Sequence, residues 1–231
     1  MKALLEAGLR QLDLSPDRAE ALCRFAQLLL EKNKVMNLTA ITEPEAVATL
    51  HFLDCLALTR YADFTGKTLV DVGTGAGFPG LPLKIALPDL RVTLLDSLGK
   101  RVDFLREVCA DLGLDQVDCV HGRAEEFAAS HREAFDFATS RAVAALPVLC
   151  ELCLPLVKVG GRFLAMKGVD SAEELTSAQT AIDTLGGSLV AVEDYTVPGT
   201  AVSHRLVLIE KRSPTPAKYP RPFAKIKKAP L

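Results

Sequence analysis

Residues 69–80 read Leu-Val-Asp-Val-Gly-Thr-Gly-Ala-Gly-Phe-Pro-Gly, an apolar strand with an acid inside it and then four glycines in eight positions. Gly73, Gly75 and Gly77 carry no Cβ, so the backbone there can turn sharply and come close to a ligand. A second acid, Asp96, ends the next apolar strand, Val92 to Leu95, nineteen residues past Gly77. In a doubly wound sheet that separation presents a carboxylate to a ribose diol. A glycine-rich loop by itself can be a plain tight turn. Strand, loop, helix, strand and terminal acid in that order point instead to an adenosine-containing cofactor.

The details favour one cofactor. Dinucleotide folds space their glycines G-x-G-x-x-G and seat a pyrophosphate on a helix N-terminus. Here the spacing is G-x-G-x-G, and the next helix opens on Phe78-Pro79-Gly80-Leu81-Pro82. Pro79 is tolerable there because its missing N–H has no partner in a first turn. Asp71, two residues ahead of the loop, suits a ligand that carries an ammonium group. The combination favours the aminoacyl end of S-adenosylmethionine over NAD.

Strands are expected at 68–72, 91–96, 117–121, 135–140, 161–167, 188–196 and 204–211, with helical stretches between the first six. Such alternation implies a mostly parallel sheet covered on both faces. Only Pro198-Gly199-Thr200-Ala201 separates the last two strands, too few residues for a crossover, so they pair antiparallel. This predicts an α/β, Rossmann-like class I S-adenosylmethionine methyltransferase fold whose seventh strand is reversed. That domain is expected over residues 63–212, between an N-terminal helical extension (1–62) and a basic C-terminal tail (213–231). In the extension, Ser15-Pro16 reads as a cap and first-turn proline, and Thr42-Glu43-Pro44-Glu45 has capping-box spacing. His51 and Asp54, three apart, read as a local pair bracing the extension against the sheet.

With 49% apolar and 24% charged residues over 231 positions, the chain has an ordinary globular composition. No run of eighteen apolar residues occurs and the first residues do not resemble a signal peptide, so a cytoplasmic protein without a membrane contact is expected. Six cysteines are scattered through segments that read as helix or strand, and only Cys150 and Cys153, within the apolar run 146–157, form a C-x-x-C. Without a second pair or nearby histidines they read as buried thiols, and no metal is expected. Charge is uneven. The last 21 residues hold seven bases and no acid, which leaves 20 bases against 29 acids, net −9, in the first 210. A basic tail on an acidic body suits an anionic partner, although lysines can also serve solubility alone.

The chain closely resembles the glucose-inhibited division protein B family, the bacterial 16S rRNA guanine-N7 methyltransferases. The likeness rests on Asn37-Leu38-Thr39-Ala40-Ile41, His51-Phe52-Leu53-Asp54-Cys55-Leu56, Val70 to Leu83 and Asp96-Ser97-Leu98-Gly99-Lys100-Arg101. It continues through Gly122-Arg123-Ala124-Glu125, Ser140-Arg141-Ala142, Met166-Lys167-Gly168 and Lys218-Tyr219-Pro220-Arg221. Thr74 and Cys55 stand where the family often has serine, and Pro222-Phe223-Ala224 where a glycine is usual. The resemblance implies methylation of N7 of one guanine in the 530 loop of 16S rRNA, position 527 in the family. It implies 16S rRNA within the small ribosomal subunit as the partner, with no stable protein partner. A methyltransferase acting on a small molecule or protein, and a regulator that merely senses S-adenosylmethionine, are the competing readings.

The same resemblance assigns residues. Gly73 and Phe78 would line the S-adenosylmethionine site, to which the chemistry of the loop itself adds Gly75, Gly77 and Asp71. Asp96 would accept from the ribose hydroxyls, Ala124 and Glu125 would frame the adenine, and Arg141 would be the family's cofactor-binding arginine. Lys167 and Arg221, which lie in matching segments, and Lys225, Lys227 and Lys228, on the charge of the tail alone, are the candidates for contact with RNA. No catalytic base is assigned.

Overall fold

The computed structural model describes residues 1–231. Seven strands make one sheet: β1 (Thr68–Val72), β2 (Arg91–Asp96), β3 (Val117–His121), β4 (Phe135–Arg141), β5 (Val157–Gly168), β6 (Gly187–Thr196) and β7 (Ser203–Lys211). Their order is β3-β2-β1-β4-β5-β7-β6, parallel except that β7 runs antiparallel to both its neighbours. Each expected strand is present to within a few residues. The largest difference is β5, which begins at Val157 because Gly160-Gly161 form an irregular stretch rather than an end. A Cβ at Gly161 would lie 2.5 Å from the Asp136 carbonyl oxygen, so only glycine lets the strands stay paired there.

Helices cover both faces. α1 (Lys2–Gln11), α2 (Ala19–Met36) and the segment α3 (Pro44–Ala46), a π-helical stretch (Val47–Leu53) and α4 (Asp54–Leu56) form the N-terminal layer. α5 (Gly80–Ala86), α6 (Gly99–Asp111), α7 (Ala124–Phe127), α8 (Leu146–Cys153) and α9 (Ala172–Thr184) alternate with the strands, and α10 (Phe223–Lys228) lies in the tail. The two-residue period of each strand sorts its side chains between two cores. Leu164, Met166, Leu206 and Leu208 join Leu5, Leu9, Phe25 and Phe52 of the N-terminal helices. Phe163, Ala165, Val207 and Ile209 face the other way, toward α8 and α9. Each fully buried leucine or phenylalanine contributes about 1.5–3 kcal/mol. The N-terminal helices are thus one wall of the sheet's own core.

Two expected caps are corrected. Ser15 makes no side-chain cap bond, because Pro16 opens a 3-10 turn (Pro16–Arg18) before α2 begins. Thr42 lies one residue outside the helix start. Pro44 takes the first helical position, which puts the cap at Glu43, again without a side-chain bond.

The tail is folded onto α8. Tyr219 and Ile226 are buried in the second core. Lys211, wholly buried, donates to Thr215 Oγ1 at 2.7 Å and the Leu154 carbonyl at 2.7 Å. Arg132 donates to the carbonyls of Tyr219 (2.8 Å), Pro216 (3.1 Å) and Thr215. Arg221 grips Glu151, a wholly buried acid of α8, through Nε at 2.9 Å and Nη2 at 2.6 Å.

Candidate active site

In the strand order β3-β2-β1-β4 the direction of winding reverses between β1 and β4, which opens a crevice at their C-terminal ends. The glycine loop follows β1 and Arg141 ends β4, so both meet in that crevice. Gly73 and Gly75 have φ of +71° and +61°. A Cβ at Gly73 would come within 2.6 Å of Val143 Cγ2, whereas one at Gly75 would project into open space with nothing nearer than 4.0 Å. Gly75 therefore exposes bare backbone to the groove. That groove, about 360 Å³, is lined by Gly73, Gly75, Phe78, Asp96, Arg101 and Arg141 among others.

Asp96 ties the loop to β2. Its Oδ2 accepts from the Gly75 N–H at 2.9 Å and its Oδ1 from the Leu98 N–H at 2.9 Å. Oδ1 keeps a free lone pair, whereas Oδ2 also faces Arg101 Nη1 at 3.5 Å. Beyond Asp96 the groove continues into a recess bounded by Gly122, Arg123, Ala124, Glu125 and Val143. Gly73, Gly75, Phe78, Asp96, Ala124, Glu125 and Arg141 are accordingly gathered along one edge of the sheet. Gly77 is not on the groove's lining: a Cβ there would meet Leu81 at 2.5 Å, so it serves close packing of loop on helix.

Asp71 is also corrected. It is wholly buried beneath the loop, where Oδ2 accepts from Thr74 Oγ1 at 2.7 Å and from the Gly80 N–H at 2.8 Å. It braces the turn instead of facing the cavity. Its Oδ1 has no partner, and burial raises its pKa to about 6.

A second cavity of about 410 Å³ adjoins the groove and shares His51, Arg141 and Ala142 with it. Its far side comprises Ile41, Leu50, Met166, Val202 and His204. Between the two lies a polar cluster centred on Asp54, which is wholly buried. Asp54 Oδ2 accepts from Arg141 Nη1 at 3.1 Å, and Oδ1 accepts from Tyr195 Oη at 2.8 Å and His204 Nδ1 at 2.8 Å. The hydrogen bond to Asp54 raises the His204 pKa. Arg141 also donates to the Leu50 carbonyl at 3.2 Å and to His51 Nδ1 at 3.0 Å, while lying 4.9 Å over the Phe78 ring.

A guanidinium can only donate, so His51 Nδ1 accepts and its proton sits on Nε2, 2.7 Å from Thr39 Oγ1. Thr39 is held in turn by Asn33 through two bonds of 2.9 Å. The His51 ring stacks on Phe78 at 4.5 Å. Burial, then the neighbouring Arg141 charge, lower its pKa to about 4, so it is neutral at pH 7. His51 and Asp54 do not pair with each other as the helical spacing implied. The π-helical stretch through His51 turns both toward Arg141. Bracing is their role, but through a third residue.

Two expected RNA contacts have other partners. Lys167 donates to Glu174 Oε2 at 2.6 Å and the Ala144 carbonyl at 2.7 Å, fixing the segment after Arg141. Arg221 is held by Glu151. Lys225, Lys227 and Lys228 are exposed. Tyr195 and His204 escaped sequence reasoning entirely. The one signal toward them was a carboxylate, Asp54, in the apolar run 52–58, which demands cationic or hydroxyl partners.

Sheet order, glycine loop and strand-end acid together define the class I S-adenosylmethionine methyltransferase fold. Solved structures share it: a mutant of MtNAS in complex with S-adenosylmethionine aligns with TM-score 0.57 at 18% identity over 84% of this chain and 73% of its own. TrmN from Thermus thermophilus gives 0.54 at 24% identity over 68% of this chain and 48% of its own. Within that class the chain belongs to the GidB family, rRNA small subunit methyltransferase G, whose family model matches residues 18–200. Ribosomal RNA small subunit methyltransferase G of Alkaliphilus metalliredigens is 50% identical, with 95% of this chain and 94% of the relative aligned. The protein of the same name from Clostridium perfringens is 46% identical over 95% and 93%.

Proposed function

We propose that this chain transfers a methyl group from S-adenosylmethionine to N7 of a guanine in 16S rRNA, in the 530 loop of the small ribosomal subunit. The observation that carries the reading is the pair of cavities meeting at His51, Arg141 and Ala142. One is a backbone-lined groove with a strand-end acid, and the other a mostly apolar chamber with room for a base.

The groove fits the cofactor on its own terms, since Gly75 leaves a cradle that a Cβ would fill and Asp96 Oδ1 retains a free lone pair. Gly73, Gly75, Phe78 and Asp96 would hold it, with Ala124 and Glu125 beside its purine. Bound there, it supplies an electrophilic methyl on a sulfonium. Arg141, pinned by Asp54, His51 and Leu50, forms a rigid partition that positions the base against the groove. N7 of guanine has an in-plane lone pair and no proton to lose, so no side chain need act as a base. Holding N7 in line at near-attack distance supplies ~7–11 kcal/mol of the barrier reduction. In an A-form helix N7 faces a groove too narrow for side chains, so the guanine is taken from a loop or flipped into the chamber. Lys225, Lys227 and Lys228 would meet RNA phosphates.

Transfer of labelled methyl to small subunits lacking the modification, to naked 16S rRNA and to tRNA tests the reading. Label in a single guanine of the small-subunit RNA is expected. Label in tRNA, in protein or nowhere would overturn it.

A further inference from the structure

The recess beyond Asp96 has a wall that comes from the far end of the chain. Phe223, first residue of α10, lines it together with Val72, Leu95, Glu125, Val143 and Leu152. The guanidinium of Arg123 lies 5.1 Å over the Phe223 ring and fixes its plane. Glu125, whose side chain is 10% exposed, and Asp96 bring carboxylates to a slot that is otherwise lined by apolar side chains, Ser97 and Arg123. Apolar faces with carboxylate acceptors beside them suit a flat heteroaromatic ring bearing an amino donor, which describes adenine.

We propose that Phe223 is the outer wall of the purine subsite, so that cofactor binding and the seating of the basic C-terminal helix are one coupled event. The inference rests on the reading of the groove as an S-adenosylmethionine site. The strap that delivers Phe223 is anchored independently, by Arg221 on Glu151 and by Ile226 in the core. Phe223 itself is half-buried and borders the recess, so part of its ring is open to a ligand there. Linkage requires reciprocity. A purine that gains contact with Phe223 must also hold α10, and with it Lys225, Lys227 and Lys228, against the body.

The test is calorimetric titration of the full chain with S-adenosylhomocysteine, together with hydrogen exchange of residues 223–228. Phe223→Ala should weaken binding about tenfold, the effect of removing one aromatic face from a base. Phe223→Leu, which keeps the packing of the strap, should also weaken binding while leaving the melting temperature in place. Phe223→Tyr should bind within about twofold of the wild type, since the ring face is retained. In the wild type, the ligand should slow exchange in α10, and in Phe223→Leu it should not. Equal affinity of the wild type and Phe223→Leu would overturn the inference while leaving the groove reading intact, as would ligand-independent exchange in α10. A wild type that binds no S-adenosylhomocysteine would overturn the groove reading itself, and this inference with it.

Discussion

The groove and the chamber beside it are built by opposite means. The groove is made of backbone from neighbouring segments: a loop directly after β1, one acid at the end of β2, and a turn directly after β3. The chamber is closed by side chains whose partners lie far apart, Arg141 being 87 residues from Asp54 and His204 being 150 from it. The first kind of site depends on which atoms are absent, and the second on charges that balance. Sensitivity to a single methyl group should therefore concentrate in the groove, and sensitivity to charge and pH in the chamber.

The comparison breaks most readily at Arg141. Arg141→Ala leaves Asp54 buried with its cation gone, which costs about 3–5 kcal/mol of stability. Chemical denaturation should show this, and a loss below about 1 kcal/mol would mean that Tyr195 and His204 satisfy Asp54 alone. In the groove, Gly75→Val should abolish measurable cofactor binding with little change in the fold. Its Cβ meets no protein atom nearer than 4.0 Å, so the main folding cost is the left-handed strain, about 1–2 kcal/mol. Normal affinity in that variant would place the ligand elsewhere.

A pH contrast sharpens the comparison. His51 has its pKa lowered from 6.5 to about 4 on folding, so between those values the unfolded chain binds the extra proton. Its contribution is complete above pH 6.5 and is lost as pH falls toward 4, by up to about 3 kcal/mol. Asp71, raised from 3.8 to about 6, acts with the opposite sign over most of the same window. Denaturation of the wild type and His51→Gln from pH 7 to 4 cancels the Asp71 part. The wild type should lose stability faster on acidification, and parallel curves would refute the neutral, buried histidine.

Smaller effects are expected further out. Asp96→Ala should weaken cofactor binding by ~1–3 kcal/mol, partly through the released Gly75 amide. Unchanged affinity by calorimetry would move the ribose partner off β2. Replacing Lys225, Lys227 and Lys228 with alanine should flatten the salt dependence of RNA binding by about one unit of slope for each lysine that meets a phosphate. Wild-type constants at several salt concentrations would assign the RNA surface to the body.

This contrast also explains what could be read from the chain alone. All seven strands, the reversal of β7 and the glycine loop follow from local periodicity and from a link too short to cross over. Asp96, Ala124 and Glu125 stand at or just past the ends of their strands and were equally legible. The partners of Lys167 and Arg221 are not legible, because charge in a sequence says nothing of a carboxylate brought close by folding; Glu174 and Glu151 pair with them. The position of Asp71 beside the loop is visible in the sequence, whereas the inward turn of its side chain is set by Thr74 and Gly80. Tyr195 and His204 could not be linked to Asp54, since no local spacing joins residues on a hairpin to a helix at the other end of the chain.

One carboxyl beneath the glycine loop has a use outside binding and catalysis. Burial pushes the Asp71 pKa up to about 6 in a dry setting, with one oxygen bonded to the turn and the other bare. A protonated acid in such surroundings has a carbonyl stretch well separated from the amide and carboxylate bands. The fold thus carries its own infrared reporter, placed one layer below the cavity. Shifts of that band on adding ligand would register movement of the loop itself, with no label introduced and no lining residue altered.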